Sequence, residues 1–324
     1  MILVIKMSNI IHILEVLKKY SHMDTPLTSN QIIEYLEEND IYVERKAIYR
    51  NINSLIEIGY DIQKVHENNV RGYYLADSIF DLAELKLLID AISSSHFISD
   101  KKTETIRNKL LSLTNIYDSK KLDRNIRYSL SKSNNESILY NVDEINSAIN
   151  NKQQITFKYF DIDVNKHKKY RKDTYSTIPY SLLWDQDKYY CIGYSTKYQG
   201  FTHYRVDKME KISSCDVEHK YVTLDLAQYT HNIFGMFQGD KVHTTLRFSN
   251  AIASIVYEQF GQNVFVSSKT DTHFEVIEDI NISPVFFGWL FQLGTNVEIV
   301  APISLMKDYQ THLQNILNKM NVDT

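Results

Sequence analysis

Apolar positions in residues 8–58 recur at helical spacing in three blocks. Residues 8–20 carry Ile10, Ile11, Leu14 and Leu17 on one face, with Ser8 as the expected N-cap. After a polar break containing Pro26, Thr28-Ser29-Asn30-Gln31 reads as a capping box opening a second helix that buries Ile32, Ile33 and Leu36. A third helix is predicted over residues 44–58, with Ile48, Ile52 and Leu55 forming its inward stripe and Gly59 stopping it. The period then drops to two. Residues 60–65 alternate as a strand, His66-Glu67-Asn68-Asn69 turns, and residues 70–75 return, which makes a β-hairpin directly after the third helix.

Residues 78–113 hold two amphipathic helical segments around Ser93-Ser94-Ser95, and the polar run 131–137 is the best internal linker. From Ile155 the alternation resumes with Phe157 and Tyr159, and a basic loop spans Lys166 to Lys172. Strands are expected at 175–184, 189–194 and 201–206. Several short strands in so few residues fit one small SH3-like or Sm-like barrel. The remainder reads β-α-β-β-α-β before a last helix at 303–320, the order of a ferredoxin-like layer. The expected fold is therefore α+β and multidomain. Its modules are a winged helix-turn-helix at 1–77, a helical connector at 78–145, the barrel at 146–222 and the tail layer at 223–324.

Composition narrows this only slightly. Gly and Pro are scarce, 9 and 4 of 324 residues, which excludes collagen-like or linker-rich chains. Two cysteines, Cys191 and Cys215, make no disulfide framework, and a reducing cytoplasm is expected. The apolar run Ile2–Ile5 is too short for a signal segment or a membrane span, and Met7 is a second possible native start. Charge is more informative than its total. The chain as a whole carries −4, yet residues 152–220 carry +4 and 221–324 carry −5, so an anion-binding site is expected in the middle module.

On the third helix, turning 100° per residue from Ile48 places Lys46, Arg50 and Asn53 opposite the apolar stripe, with Arg45 in the first turn and Tyr49 beside it. Arg and Lys donate to guanine or phosphate and Asn pairs with adenine, so this is the face of a DNA reader. Arg71 on the hairpin is within reach of a phosphate or the minor groove. These six residues are the candidate double-stranded DNA contacts.

The run Arg45-Lys46-Ala47-Ile48-Tyr49-Arg50-Asn51-Ile52, followed by Leu55, Gly59 and Arg71-Gly72-Tyr73-Tyr74-Leu75, resembles the N-terminus of WYL-domain transcriptional regulators. There the pattern is roughly R-K-T-I-Y-R-D-I…L…G…GYY-L, so Ala47 stands for Thr and Asn51 for Asp. Three later pieces resemble the WYL module in order: Ile178-Pro179-Tyr180-Ser181-Leu182-Leu183, Tyr189-Tyr190-Cys191-Ile192-Gly193-Tyr194, and Tyr204-Arg205-Val206-Asp207-Lys208-Met209. Of the eponymous triplet only Tyr190 is kept, with Tyr189 for Trp and Cys191 for Leu. Residues 289–302 resemble the C-terminal extension of the same regulators. The resemblance implies a winged helix-turn-helix reader, a sensing module and a tail.

Within a strand, residues two apart share a face, so His203 and Arg205 point the same way, with Lys208 just beyond and Tyr190 joining from the neighbouring strand. Tyr159 and Ser181 complete the candidate ligand set. Two cations, an imidazole and a stacking ring suit a nucleotide or single-stranded nucleic acid. The competing reading pairs Arg205 with Asp207. No phosphate-loop, dinucleotide, nucleophile-elbow or H-E-x-x-H pattern occurs. The expectation is thus no catalysis, no cofactor and no metal. A homodimer built through the tail would match a palindromic operator. Two alternatives stay open: a nucleic-acid-binding adaptor directed at RNA or single-stranded DNA, and a small-molecule sensor of the same architecture.

Overall fold

The computed structural model describes residues 2–67, 70–76, 78–123, 132–133, 135–171, 174–217, 219, 222, 229, 233–234, 236–237 and 239–320. The chain forms two compact units, residues 1–136 and 137–324. It is a mixed α/β, multidomain protein with N-terminal helices and a curled sheet.

The first unit opens with α1 (Ile2–Tyr20), α2 (Ser29–Glu37) and α3 (Arg45–Glu57), then the antiparallel hairpin of β1 (Ile62–Glu67) and β2 (Val70–Leu75). Ser8 does not cap α1: no Gly or Pro interrupts residues 2–7, so the helix propagates through them and Ser8 lies inside it. The capping box forms as expected. The Thr28 backbone N–H donates to Gln31 Oε1 at 2.9 Å, and the Gln31 N–H donates to Thr28 Oγ1 at 3.3 Å. Ile48, Ile52 and Leu55 of α3 are buried against Ile13, Leu17, Ile32 and Leu36. Gly59, at φ +107°, takes the left-handed conformation that ends the helix.

Leu27, between α1 and α2, pairs with Tyr73 through two backbone hydrogen bonds of 2.8 Å, so β2 is held by a third extended piece. This close approach is why residue 72 is glycine. A Cβ there would lie 2.8 Å from the Leu27 carbonyl carbon and oxygen and 2.9 Å from the Pro26 carbonyl carbon. Those atoms are backbone and cannot move aside, so Gly72→Ala is expected to destabilise the unit by about 1–3 kcal/mol. Urea unfolding of the two proteins checks this.

Helices α4 (Leu82–Ser94), α5 (Asp100–Leu111) and α6 (Ile116–Asp123) follow, around a small core of Leu85, Ile89 and Leu122. The expected linker 131–137 is in part tied down. Lys132 Nζ donates to the Ser95 carbonyl at 2.8 Å and the Ser133 N–H to the His96 carbonyl at 2.9 Å. Residues 131 and 134 of that run lie outside the described residues.

The second unit begins with α7 (Ile138–Asn150), through which the expected boundary at 145/146 would cut. Ile138, Ile145 and Ala148 are buried, and Asn141 Nδ2 donates to the Met209 carbonyl at 2.8 Å, so the helix belongs with the sheet that follows. That sheet comprises β3 (Gln154–Ile162), β4 (Lys168–Tyr170), β5 (Tyr175–Asp185), β6 (Lys188–Ser195), β7 (Gly200–Arg205) and β8 (Met209–Cys215). The order is β4-β3-β5-β6-β7, with β8 also on β3, so the chain curls back onto its first strand. Part of the expected basic loop is strand β4, an exposed edge piece paired with Phe160–Ile162. Its Lys-Lys-Tyr sequence carries no apolar alternation. Lys172 and the expected boundary at 222/223 fall on or beside residues outside those described.

Beyond it, β9 (Lys241–Ser249), α8 (Ala253–Phe260), β10 (Val266–Lys269), β11 (His273–Asn281), α9 (Pro284–Leu293) and β12 (Val297–Ala301) form an antiparallel sheet of order β10-β11-β9-β12, with two helices interleaved. Phe248, Phe260, Phe286 and Leu290 are the centre of its core, and α10 (Ile303–Met320) ends the described chain. No described helix is long and apolar enough to cross a membrane.

Candidate nucleic-acid interface and sensor face

Burying the Ile48-Ile52-Leu55 stripe obliges the opposite side of α3 to face outward. Arg45, Lys46, Tyr49, Arg50 and Asn53 are all exposed, and among the described residues Lys46 and Arg50 have no ion-pair partner. Arg45 Nε donates to the Tyr49 hydroxyl at 3.3 Å, and Tyr49 meets Tyr73 of β2 edge-on at 6.4 Å. Hydrogen bonds from Ser29 and Arg45 hold the Tyr49 phenol below its ordinary pKa.

The hairpin extends this surface. Directly opposite residues of an antiparallel pair share a face, and the register pairs Lys64 with Tyr73 and His66 with Arg71. Lys64, His66, Arg71 and Tyr73 therefore form one row, joined to α3 by Tyr73 against Tyr49 and by Lys64 Nζ donating to Asn53 Oδ1 at 3.0 Å. Arg71 is exposed. Sequence reasoning missed Lys64 and His66. Their alternation with Val65 was the available signal, and only the pairing register shows that they continue the α3 face.

In the curled sheet the register sets Ser181 opposite Ile192 and Ile192 opposite His203, with Leu183, Tyr190 and Arg205 aligned in the next row. Ser181, Tyr190, His203 and Arg205 thus share one face. Tyr159 and Lys208 reach it differently. The Tyr159 hydroxyl accepts the Arg205 backbone N–H at 3.1 Å, and burial pushes that phenol up to about 12, so it stays neutral. Lys208 Nζ donates to Asp161 Oδ1 at 2.7 Å.

Neither expected cation stands open. Arg205 is held bidentately by Asp207, Nε–Oδ1 3.0 Å and Nη2–Oδ2 2.6 Å, so the competing pairing is the one that forms. Asp161 also accepts from Arg171 at 2.5 and 3.1 Å; these bonds from Arg171 and then Lys208 lower it to about 2. His203 is no free switch either. Its Nδ1 lies 3.0 Å from the Met236 carbonyl, which can only accept, so Nδ1 carries the proton. Burial depresses its pKa, and Nε2 is buried without a partner among the described residues. Cys191 is fully buried and its thiol is pushed up to about 12, the opposite of an activated nucleophile. Among the described residues no group of three or more His, Cys, Asp or Glu is placed to hold a metal.

Residues 140–214, which are α7 and the curled sheet, match the WYL domain family. These residues are a WYL domain. No curated protein matches it. Among solved structures it is similar to proteasome accessory factor B/C (PafBC) of Arthrobacter aurescens, at 16% identity and a TM-score of 0.29, over 97% of this chain and 49% of that one. The chain thus spans about half the length of that protein.

Sequence reasoning also missed the aromatic end of the WYL face. Tyr180 and Tyr194 pack on Phe201 at 5.0 and 5.4 Å, and Tyr229 packs on His203 at 5.5 Å. A face that runs from edge-to-face rings to a paired guanidinium offers a ligand both π-surface and charge-assisted donors.

Proposed function

We propose that this WYL-domain protein is a DNA-binding transcription regulator acting in the cytoplasm. In this reading α1–α3 and the hairpin form a winged helix-turn-helix, with α3 in the major groove. The observation that carries it is the exposure of Arg45, Lys46, Tyr49, Arg50 and Asn53 over a fully buried stripe on the same helix. Leu27 bridging to the hairpin supports the wing. The path β8-β3-β5-β6-β7 behind α7 supports a small Sm-like barrel, and the order β12-β9-β11-β10 with two helices supports a ferredoxin-like tail layer. The tail joins two copies, whose two readers meet a palindromic operator. The chain carries no enzymatic activity and no cofactor.

The WYL domain senses a nucleotide or single-stranded nucleic acid through Ser181, Tyr190, His203 and Arg205, with Lys208 and Tyr159 behind them. Binding there shifts operator affinity by about 1–3 kcal/mol, the usual size of such coupling. Gel shifts of the full chain against DNA upstream of its own gene, at low salt, test the reader; no retarded duplex overturns it. Titration with short single-stranded oligonucleotides tests the sensor. Arg205→Ala is expected to weaken that binding about tenfold or more, since the substitution removes a charge-assisted donor. Equal affinity in both proteins removes Arg205 from the site, and failure of every oligonucleotide to bind the wild type overturns the ligand class.

A further inference from the structure

The hydrogen bond between Lys64 and Asn53 bears on which base the reader selects. An Asn facing a groove ordinarily pairs with adenine, accepting from N6 through Oδ1 and donating to N7 through Nδ2. Here Oδ1 lies 3.0 Å from Lys64 Nζ. An ammonium donates and never accepts, so chemistry alone fixes which end of the amide faces it: the oxygen. Both side chains sit on exposed backbone positions, Asn53 on the outward side of α3 and Lys64 in the hairpin row with His66 and Arg71.

The amide is therefore oriented with Nδ2 free to donate. One of the two lone pairs of the acceptor that adenine N6 needs is already taken by a cation, whose own donors oppose the adenine amino group. Guanine presents two adjacent acceptors, N7 and O6, in the major groove. A pair of neighbouring donors, Asn53 Nδ2 and Lys64 Nζ, is complementary to that edge.

We propose that Lys64 of the hairpin and Asn53 of α3 act as one donor pair that selects guanine, with Lys64 both positioning the amide and contributing a donor. This rests on the reading of α3 as the DNA-contacting helix.

Selection of bound sequences from a randomised duplex pool, using the full-length protein at low salt, tests it. Wild type is expected to show a guanine preference at one position per half-site that Asn53→Ala abolishes. Lys64→Met, which keeps the stem and removes the donor, is expected to move that position from guanine toward adenine by about tenfold in relative affinity. Lys64→Arg is expected to keep guanine. A wild-type preference for adenine at the Asn53-dependent position overturns the inference. So does a guanine preference unchanged in Lys64→Met, or an Asn53→Ala effect that is uniform across all sequences. If wild type enriches no duplex, the DNA reading itself falls. Exposed positions make loss of folding a minor concern, and thermal unfolding of each variant verifies it.

Discussion

Arg50→Ala is expected to cut duplex binding severely while leaving the unfolding transition essentially unchanged. Arg50 projects from the middle of α3, two residues past the buried Ile48 and two before the buried Ile52, and is itself exposed without an ion-pair partner among the described residues. Nothing in the first unit depends on it for packing, and alanine is the best helix former, so the helix survives the change. What is removed is a long, rigid donor fork. An arginine contacting a base edge is worth about 1–3 kcal/mol, roughly 5- to 150-fold in affinity, and one contacting phosphate lowers the salt slope by about one.

The salt dependence discriminates between these two roles. If Arg50 reads a base, its removal relaxes sequence preference and leaves the slope unchanged. If it grips a phosphate, its removal flattens the slope. Arg45 differs from Arg50, since Tyr49 already orients it, and so the double variant Arg45→Ala/Arg50→Ala is expected to abolish specific binding. Fluorescence anisotropy with the operator duplex at several salt concentrations measures both. An unaltered affinity in the double variant means that α3 is not the reader.

The N-terminal unit was readable from sequence because its signals are local. A capping box at Thr28, a stripe at Ile48, Ile52 and Leu55, and a stop at Gly59 each depend on residues a few positions apart, and each appears in the structure. Strand β8 was missed for the converse reason. Its buried residues Met209 and Ile212 are three apart, and Lys211 at φ +53° breaks the alternation, so no period of two survives to be recognised. Helix α7 was placed across a boundary because its partner groups, the carbonyls of Val206 and Met209, lie more than sixty residues later. The sensor face was half legible. Alternation put His203 and Arg205 together and the register sets Tyr190 and Ser181 on the same face, but which carboxylate neutralises which cation is a property of the folded sheet.

That neutralisation underlies the second large effect. Asp161→Asn is expected to strengthen binding of a phosphate-bearing oligonucleotide to the WYL domain by about tenfold, or ~1.4 kcal/mol. Asp161 holds Arg171 and Lys208 together, and its carboxylate, lowered to about 2 by those two partners, is fully charged at neutral pH. An incoming phosphate therefore competes with a resident anion for the same donors. Asparagine keeps the shape and removes the charge, releasing both cations.

The cost appears in the acid limb of stability. Because the folded carboxyl titrates below its ordinary 3.8, the ion pairs stabilise the fold above about pH 4, and that contribution disappears as pH falls through about 2. Asp161 is 36% exposed, so solvent screening keeps the contribution at about 1 kcal/mol or less. Urea unfolding is thus expected to show the Asn variant slightly weaker at neutral pH and converging on wild type in strong acid. Titration with the oligonucleotide at neutral pH reads the gain. Weaker binding by Asp161→Asn would mean that the carboxylate orients Lys208 for the ligand rather than occupying its place, and equal binding would place the ligand away from these two cations.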